Sequence, residues 1–256
     1  LAIISIAPFL ILVWTSLLPH YLHPSIDALS QISLEQYRNL LSDDRLIPAW
    51  GNTITIALIA PTISVGIAFI LAWVIARSRI GRKWKVALDL FLSSSVAIPS
   101  VVAANAFLVF YLLINQSIPE WFPLYGTIVV LILIYAHRLG VVYRMGRAGI
   151  SQLSKDLEDA SMVSGVSPLK TLRKIVLPLT SPSLLGAWVI LYLVAFKEFT
   201  FPMIVGRESP PFVISVFIWK LWQQHAGQAA ALGVLTVVFL SITIFTFRSL
   251  VSKRWK

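Results

Sequence analysis

Six apolar runs constrain this chain more than any other feature. They cover residues 1 to about 18, 52–76, 86–114, 126 to about 142, 182–201 and 229–250. Each is long enough, or nearly so, to cross the roughly 30 Å hydrocarbon layer of a bilayer. Composition agrees: 57% of the residues are hydrophobic and 12% charged, where a soluble domain carries about 25% charged residues. The expectation is an all-α membrane protein with six transmembrane helices, residues 1–256 forming a single transmembrane domain. Pro61 and Pro99 fall inside the second and third runs; prolines there are tolerated within bundles of membrane helices. Cysteine is absent, which excludes disulfides and thiolate metal sites. The sequence opens at Leu1 within an apolar run, and no cleaved signal peptide is expected there. It is expected to be a piece of a longer chain or a trimmed one.

The formal net charge is +10, and its distribution gives an orientation. Sixteen of the 21 Lys and Arg lie in the link 77–85, around the loop after run four, and in the C-terminal tail. Arg38, Arg45, Lys197, Arg207 and Lys220 are left for the other side. Cytoplasmic loops carry the basic excess, so the link, the loop and the C-terminus are expected in the cytoplasm. That use of the charge leaves no role for nucleic acid. Most tryptophans stand at run ends, as interface belts require: Trp14, Trp50, Trp73, Trp84, Trp121, Trp219, Trp222 and Trp255. Residues 21–51 are then external. There Ser33 is expected to cap a short interfacial helix, with Gln36 closing a capping box.

The most polar long stretch is 154–182. Ser154 suits an N-cap, with Asp156 and Glu158 behind it where acids favour the helix dipole. Gly165 can end that helix in a left-handed turn. Ser167-Pro168 restarts a helix, Leu177-Pro178 is expected to stop it, and Ser181-Pro182 to open the next. Within this stretch stand Asp159-Ala160-Ser161, three residues, Gly165, nine residues, Ile175, one residue and Leu177-Pro178. The pattern resembles the "EAA" loop of type I ABC importer permeases, with Asp159 in place of Glu and Ser161 in place of the second Ala. The position of the loop, between runs four and five, fits as well. Residues 197–206 (KEFTFPMIVG), 213–235 and 127–149 resemble the ferric-iron branch of that family.

The resemblance implies several things. Residues 154–178 would form a cytoplasmic coupling loop between helices 4 and 5, docking on a separate ABC ATPase dimer. Its residues would be Glu158, Asp159, Ala160, Ser161, Gly165, Ile175, Leu177 and Pro178. Ala160 and Ser161 would let the partner approach closely, and Ile175 and Leu177 would pin the loop to the membrane helices. A second permease domain, fused or separate, would complete the path, and a periplasmic binding protein would deliver the cargo across the bacterial inner membrane. ATP and Mg would sit on the ATPase, with no cofactor in this chain. The expected cargo is ferric iron; thiamine, polyamines and organic phosphates are the alternatives.

The residues themselves offer no enzyme chemistry. The sequence holds no Gly-x4-Gly-Lys-Ser/Thr phosphate loop, no His-Glu-x-x-His and no Gly-x-Ser-x-Gly. His20 and His23 are read as surface residues, and no metal site is expected. Ionisable groups at bilayer depth need a reason. Glu198 with Thr200, and Asn105, are candidates for the translocation path; the competing reading of Glu198 is an ion pair with Lys197. Asp89 is expected to pair with the basic link, and His137-Arg138 to anchor at the interface. An ion-coupled secondary transporter is the alternative of another class. It should carry several intramembrane acids, whereas Glu198 stands nearly alone. A simple membrane anchor would not need six spans.

Overall fold

The computed structural model describes residues 2–20, 22–95, 97–114, 126–206 and 213–254. Leu1, Trp121, Arg207, Trp255 and Lys256 lie outside the described residues. Every regular element among those described is helical. They are α1 (Ala2–Ser16), α2 (Ile26–Leu29), α3 (Glu35–Leu41), α4 (Leu46–Arg77), α5 (Arg82–Ser94), α6 (Ser100–Ile114), α7 (Ile128–Ala136), α8 (Leu139–Ser151), α9 (Lys155–Val163), α10 (Pro168–Thr171), a π-helical turn (Leu172–Val176), α11 (Leu177–Lys197), α12 (Thr200–Val205), α13 (Ile214–Gln224) and α14 (Ala226–Arg254). Among the described residues, three helices are long and apolar enough to cross a membrane: Leu46–Arg77, Pro168–Lys197 and Ala226–Ser249. A fourth span results if α7 and α8, bent by 44°, count as one. Ile6–Ser16 and Ser100–Ile114 are apolar but shorter.

The chain forms two compact units, one of Leu1–Ile54 with Lys197–Lys256, the other Thr55–Phe196. In the first, α14 packs on α1, α3 and α13. Its buried Ala229, Ala230, Ala231 and Leu232 surround one turn with mostly small side chains, which lets three helices approach. The Thr53 hydroxyl donates to Ala49 O (2.7 Å) and accepts from Ile214 N–H (2.9 Å), supplying a partner for the first turn of α13. Gln36 closes no capping box. Its amide instead donates to Leu18 O and Pro19 O (both 3.1 Å), because carbonyls at the end of α1 have no helical partner. Before α4, Arg45 grips Asp43 through two parallel bonds of 2.9 and 2.7 Å. The Arg45 guanidinium holds the Asp43 carboxyl below the usual range.

In the second unit, Ala68 and Ala72 of α4 are fully buried against Val142, Tyr143 and Ile150 of α8 and Leu184, Ala187 and Leu191 of α11. Pro61 sits inside α4 as expected, whereas Pro99 divides the third apolar run into α5 and α6. A proline disfavours helix in the residue before it. Pro99 O then accepts from Ala103 N–H in the first turn of α6. The polar side of α5 faces α8: Asp89 pairs with Arg147 and accepts from the Tyr143 hydroxyl, and Arg144 Nε donates to Ser93 Oγ (3.1 Å). The expected pairing of Asp89 with the basic link is thus replaced by a pairing with α8.

The bend between α7 and α8 leaves one backbone pair open. In an unbroken helix, Gly140 N–H would bond to Ala136 O. Here Gly140 N–H donates to Ser95 Oγ (3.1 Å), and Ala136 O lies 3.1 Å from buried Ser64 Oγ, which shares its one proton between Ala136 O and Ala60 O (2.8 Å). Two serines from elsewhere in the unit mend the break.

Candidate functional site

The stretch after α8 folds as its caps dictate. Ser154 Oγ accepts from Asp156 N–H (3.2 Å) and starts α9. Gly165 ends it at φ +81°. Gly165 N–H then reaches Met162 O (2.9 Å) and Val166 N–H reaches Ser161 O (3.2 Å), the paired bonds of a Schellman turn. Ser167 precedes Pro168 at the start of α10 and contributes its carbonyl, which accepts from Thr171 N–H (2.9 Å).

Beyond α10 the expected stop is absent. Helix continues from Pro168 to Lys197 through both Pro178 and Pro182. Two local devices permit this. The π turn, in which Leu177 N–H reaches back five residues to Leu172 O, lies just ahead of Pro178 and relieves the clash between its ring and the preceding turn. Pro182 has no N–H for Pro178 O, and Ser181 Oγ takes that place at 2.8 Å. The wide turn also shifts which residues face inward. Leu172 and Val176 enter the core, Ile175 is half-buried, and Leu177 is 38% exposed. Within this chain the pins are therefore Leu172 and Val176, in place of Ile175 and Leu177.

Of the residues named for the loop, Glu158 is held most tightly. It is 4% exposed. Its Oε2 accepts from Trp73 Nε1 (3.0 Å), and Oε1 accepts from Arg77 Nε (2.8 Å) and the Arg77 terminal nitrogen (2.5 Å). Truncating one partner of such a buried pair costs about 3–5 kcal/mol, since the other charge is stranded. The sequence marked Glu158 as an acid in an early turn and, through the resemblance, as a coupling-loop residue, Arg77 as a topogenic charge and Trp73 as an interface residue. The spacing of Trp73 and Arg77 puts them on one face of α4, but no local signal links them to Glu158, 85 and 81 residues away. Asp159 is half-buried and lies 3.7 Å from Lys155. Ser161 Oγ meets Thr171 Oγ1 at 2.9 Å, so its hydroxyl ties α9 to α10.

Ala160, Gly165 and Pro178 are exposed. Around the turn, Val163 is 88% and Leu169 74% exposed, with Leu157 and Met162 also open. Beside them lies a cleft of about 280 Å³ lined by Trp73, Arg77, Arg79, Lys155, Glu158 and Asp159 among others. The arrangement is a braced helical hairpin presenting an apolar tip with a polar cleft at its flank.

The path candidates divide between the two units. Asn105 is exposed on α6, its amide donating to Val101 O (2.8 Å). Glu198 and Thr200 come together at the break between α11 and α12, where Glu198 Oε1 accepts from Thr200 N–H (3.1 Å). Ser215 Oγ donates to the Glu198 carbonyl (2.6 Å). Glu198 thus helps to start α12. Among the described residues, no group of three or more His, Asp or Glu side chains could hold a metal ion.

A helical chain with this hairpin between apolar helices matches a known family. Residues 64–256 fit the family model for the binding-protein-dependent transport system inner membrane component. The trehalose/maltose transport system permease protein MalG of Thermococcus litoralis is 28% identical over 97% of this chain and 88% of its own. The ferric transport system permease protein FbpB of Actinobacillus pleuropneumoniae is 26% identical over 84% of this chain, which spans 31% of that longer protein. A bacterial ABC transporter involved in the import of the acidic polysaccharide alginate has a similar fold, with a TM-score of 0.74, 18% identity, and coverage of 88% of this chain and 85% of that one. The chain belongs to the family of binding-protein-dependent transport system inner membrane components. It is a membrane-embedded permease subunit of an ABC importer, a transport component and not an enzyme.

Proposed function

We propose that residues 154–178 are the cytoplasmic docking point for a separate ABC ATPase dimer, and that six helices of this chain, with those of a second permease domain, enclose the path at the bacterial inner membrane. The exposed Val163 and Leu169 carry this reading. A braced hairpin holding large apolar side chains out of its own core is suited to filling pockets on a partner. A periplasmic binding protein supplies the cargo, and ATP and Mg are held by the ATPase. Movement of the hairpin switches the access of the path, provided its contacts differ between the two states. Cross-linking tests the docking. A Val163→Cys variant should cross-link to the ATPase in purified membranes, and Val163→Glu should abolish co-purification of the two. Retention of full co-purification and ATP-driven uptake by Val163→Glu would refute the assignment.

For the cargo, ferric iron rests on residues 127–149, 197–206 and 213–235 and on the similarity to FbpB. A carbohydrate is the second reading, favoured by the match to MalG over 97% of this chain. Thiamine, polyamines and organic phosphates stand behind these. Uptake into proteoliposomes of radiolabelled iron or of a labelled oligosaccharide, each offered on its binding protein, separates the two. Glu198→Ala and Asn105→Ala should lower that uptake at limiting cargo if these residues line the path.

A further inference from the structure

Glu158 is the only buried residue of α9, and among the described residues it is the only buried one with a formal charge. The apolar residues Leu157, Met162 and Val163 of α9 are all exposed. The helix is therefore mounted by a charged bracket and not by packing. Both oxygens of its one carboxylate are used, and all three donors come from Trp73 and Arg77. These stand one turn apart at the end of α4, which runs unbroken from Arg77 back to Leu46.

We propose that the Glu158–Arg77–Trp73 cluster is the strut that passes movement of the hairpin into α4. Glu158 is a positioning residue here and makes no contact with the ATPase. The proposal rests on the docking reading above. Its physical basis is directionality. Apolar contacts hold surfaces together but let them slide, whereas a guanidinium–carboxylate pair fixes both distance and angle. The remaining mounts of the hairpin are the Ser161–Thr171 hydroxyl pair and the apolar pins Leu172 and Val176. These pins join the core shared by α4, α8 and α11 through apolar contact alone, so the cluster is the directional tie between α9 and α4.

The test uses the assembled importer, permease with ATPase and cargo-loaded binding protein, in proteoliposomes. Glu158→Gln preserves the size of the side chain and removes its charge. The expected result has three parts. The ATPase co-purifies at wild-type yield, basal ATP hydrolysis persists, and cargo moved per ATP falls about tenfold or more, the scale of an ordinary coupling energy. Loaded binding protein should also cease to stimulate hydrolysis. The exchanged pair Glu158→Arg with Arg77→Glu should recover transport well above either single reversal. Wild-type transport in Glu158→Gln, or an exchanged pair no better than the single reversals, overturns the proposal. So does loss of ATPase co-purification in Glu158→Gln, which would make Glu158 a docking residue. The Val163→Cys cross-link separates the two readings: it vanishes if the hairpin is not the docking point, and it persists if only the strut is wrong.

Discussion

Replacing Gly165 with alanine isolates the backbone cost of the turn between α9 and α10. Gly165 has φ +81°, and a Cβ added there meets nothing within 4 Å. No clash contributes, so the penalty is that of the left-handed conformation alone, about 1–2 kcal/mol for an L residue. That energy lowers the equilibrium constant for the capped turn by roughly 5–30-fold. If docking selects that turn, the dissociation constant for the ATPase should rise by up to the same factor. Asparagine tolerates the left-handed region better than alanine, and a β-branched residue tolerates it worst. The expected affinity order is therefore glycine, asparagine, alanine, valine. The assay is a titration of detergent-solubilised permease with ATPase, beside thermal melts of the permease alone. The melts should move little, because the turn is exposed and carries no core contact. Equal affinity for Gly165→Ala and wild type would refute the reasoning. A melt that falls in step with affinity would also refute it, by making the turn a fold element.

Two further substitutions test the placement of the core. Leu172→Ala should destabilise the permease by about 2–5 kcal/mol in detergent melts, since a buried leucine is lost, while Leu177→Ala should change stability by well under that amount. Equal effects would mean that the π turn does not set the buried face. Ser64→Ala should cost about 1–3 kcal/mol, because it strips the buried Ala136 carbonyl of its serine partner at the α7–α8 bend. A neutral result in the same melts would show that another group satisfies that carbonyl.

The hairpin was legible because its chemistry is local. Ser154 and Gly165 each act within a turn of their own position, and Pro168 sets its own φ at the start of α10. The stop expected at Pro178 applied the rule for helices in water. Here a π turn and the Ser181 hydroxyl accommodate the two prolines, and neither feature has a sequence signature strong enough to outweigh Leu-Pro. Gln36 and Asp89 were misplaced for a different reason. Their partners, Leu18 and Pro19 for the one and Arg147 for the other, are brought close only by packing. Glu158 is the sharpest case. The motif frames it, yet the residues that bury it belong to a helix more than 80 positions earlier.

The two ion pairs of α9 differ in their access to water, and dissolved salt will discriminate between them. The Lys155 and Asp159 side chains are 64% and 46% exposed, whereas the Glu158 side chain is 5% exposed against Arg77. At about 0.15 M ionic strength, exposed charges are screened over roughly 8 Å, while enclosed pairs are screened much less. Raising the salt therefore weakens the outward charge pattern of the hairpin and leaves its attachment to α4 largely intact. A salt series on complex formation reads the recognition surface with the bracket behind it held constant.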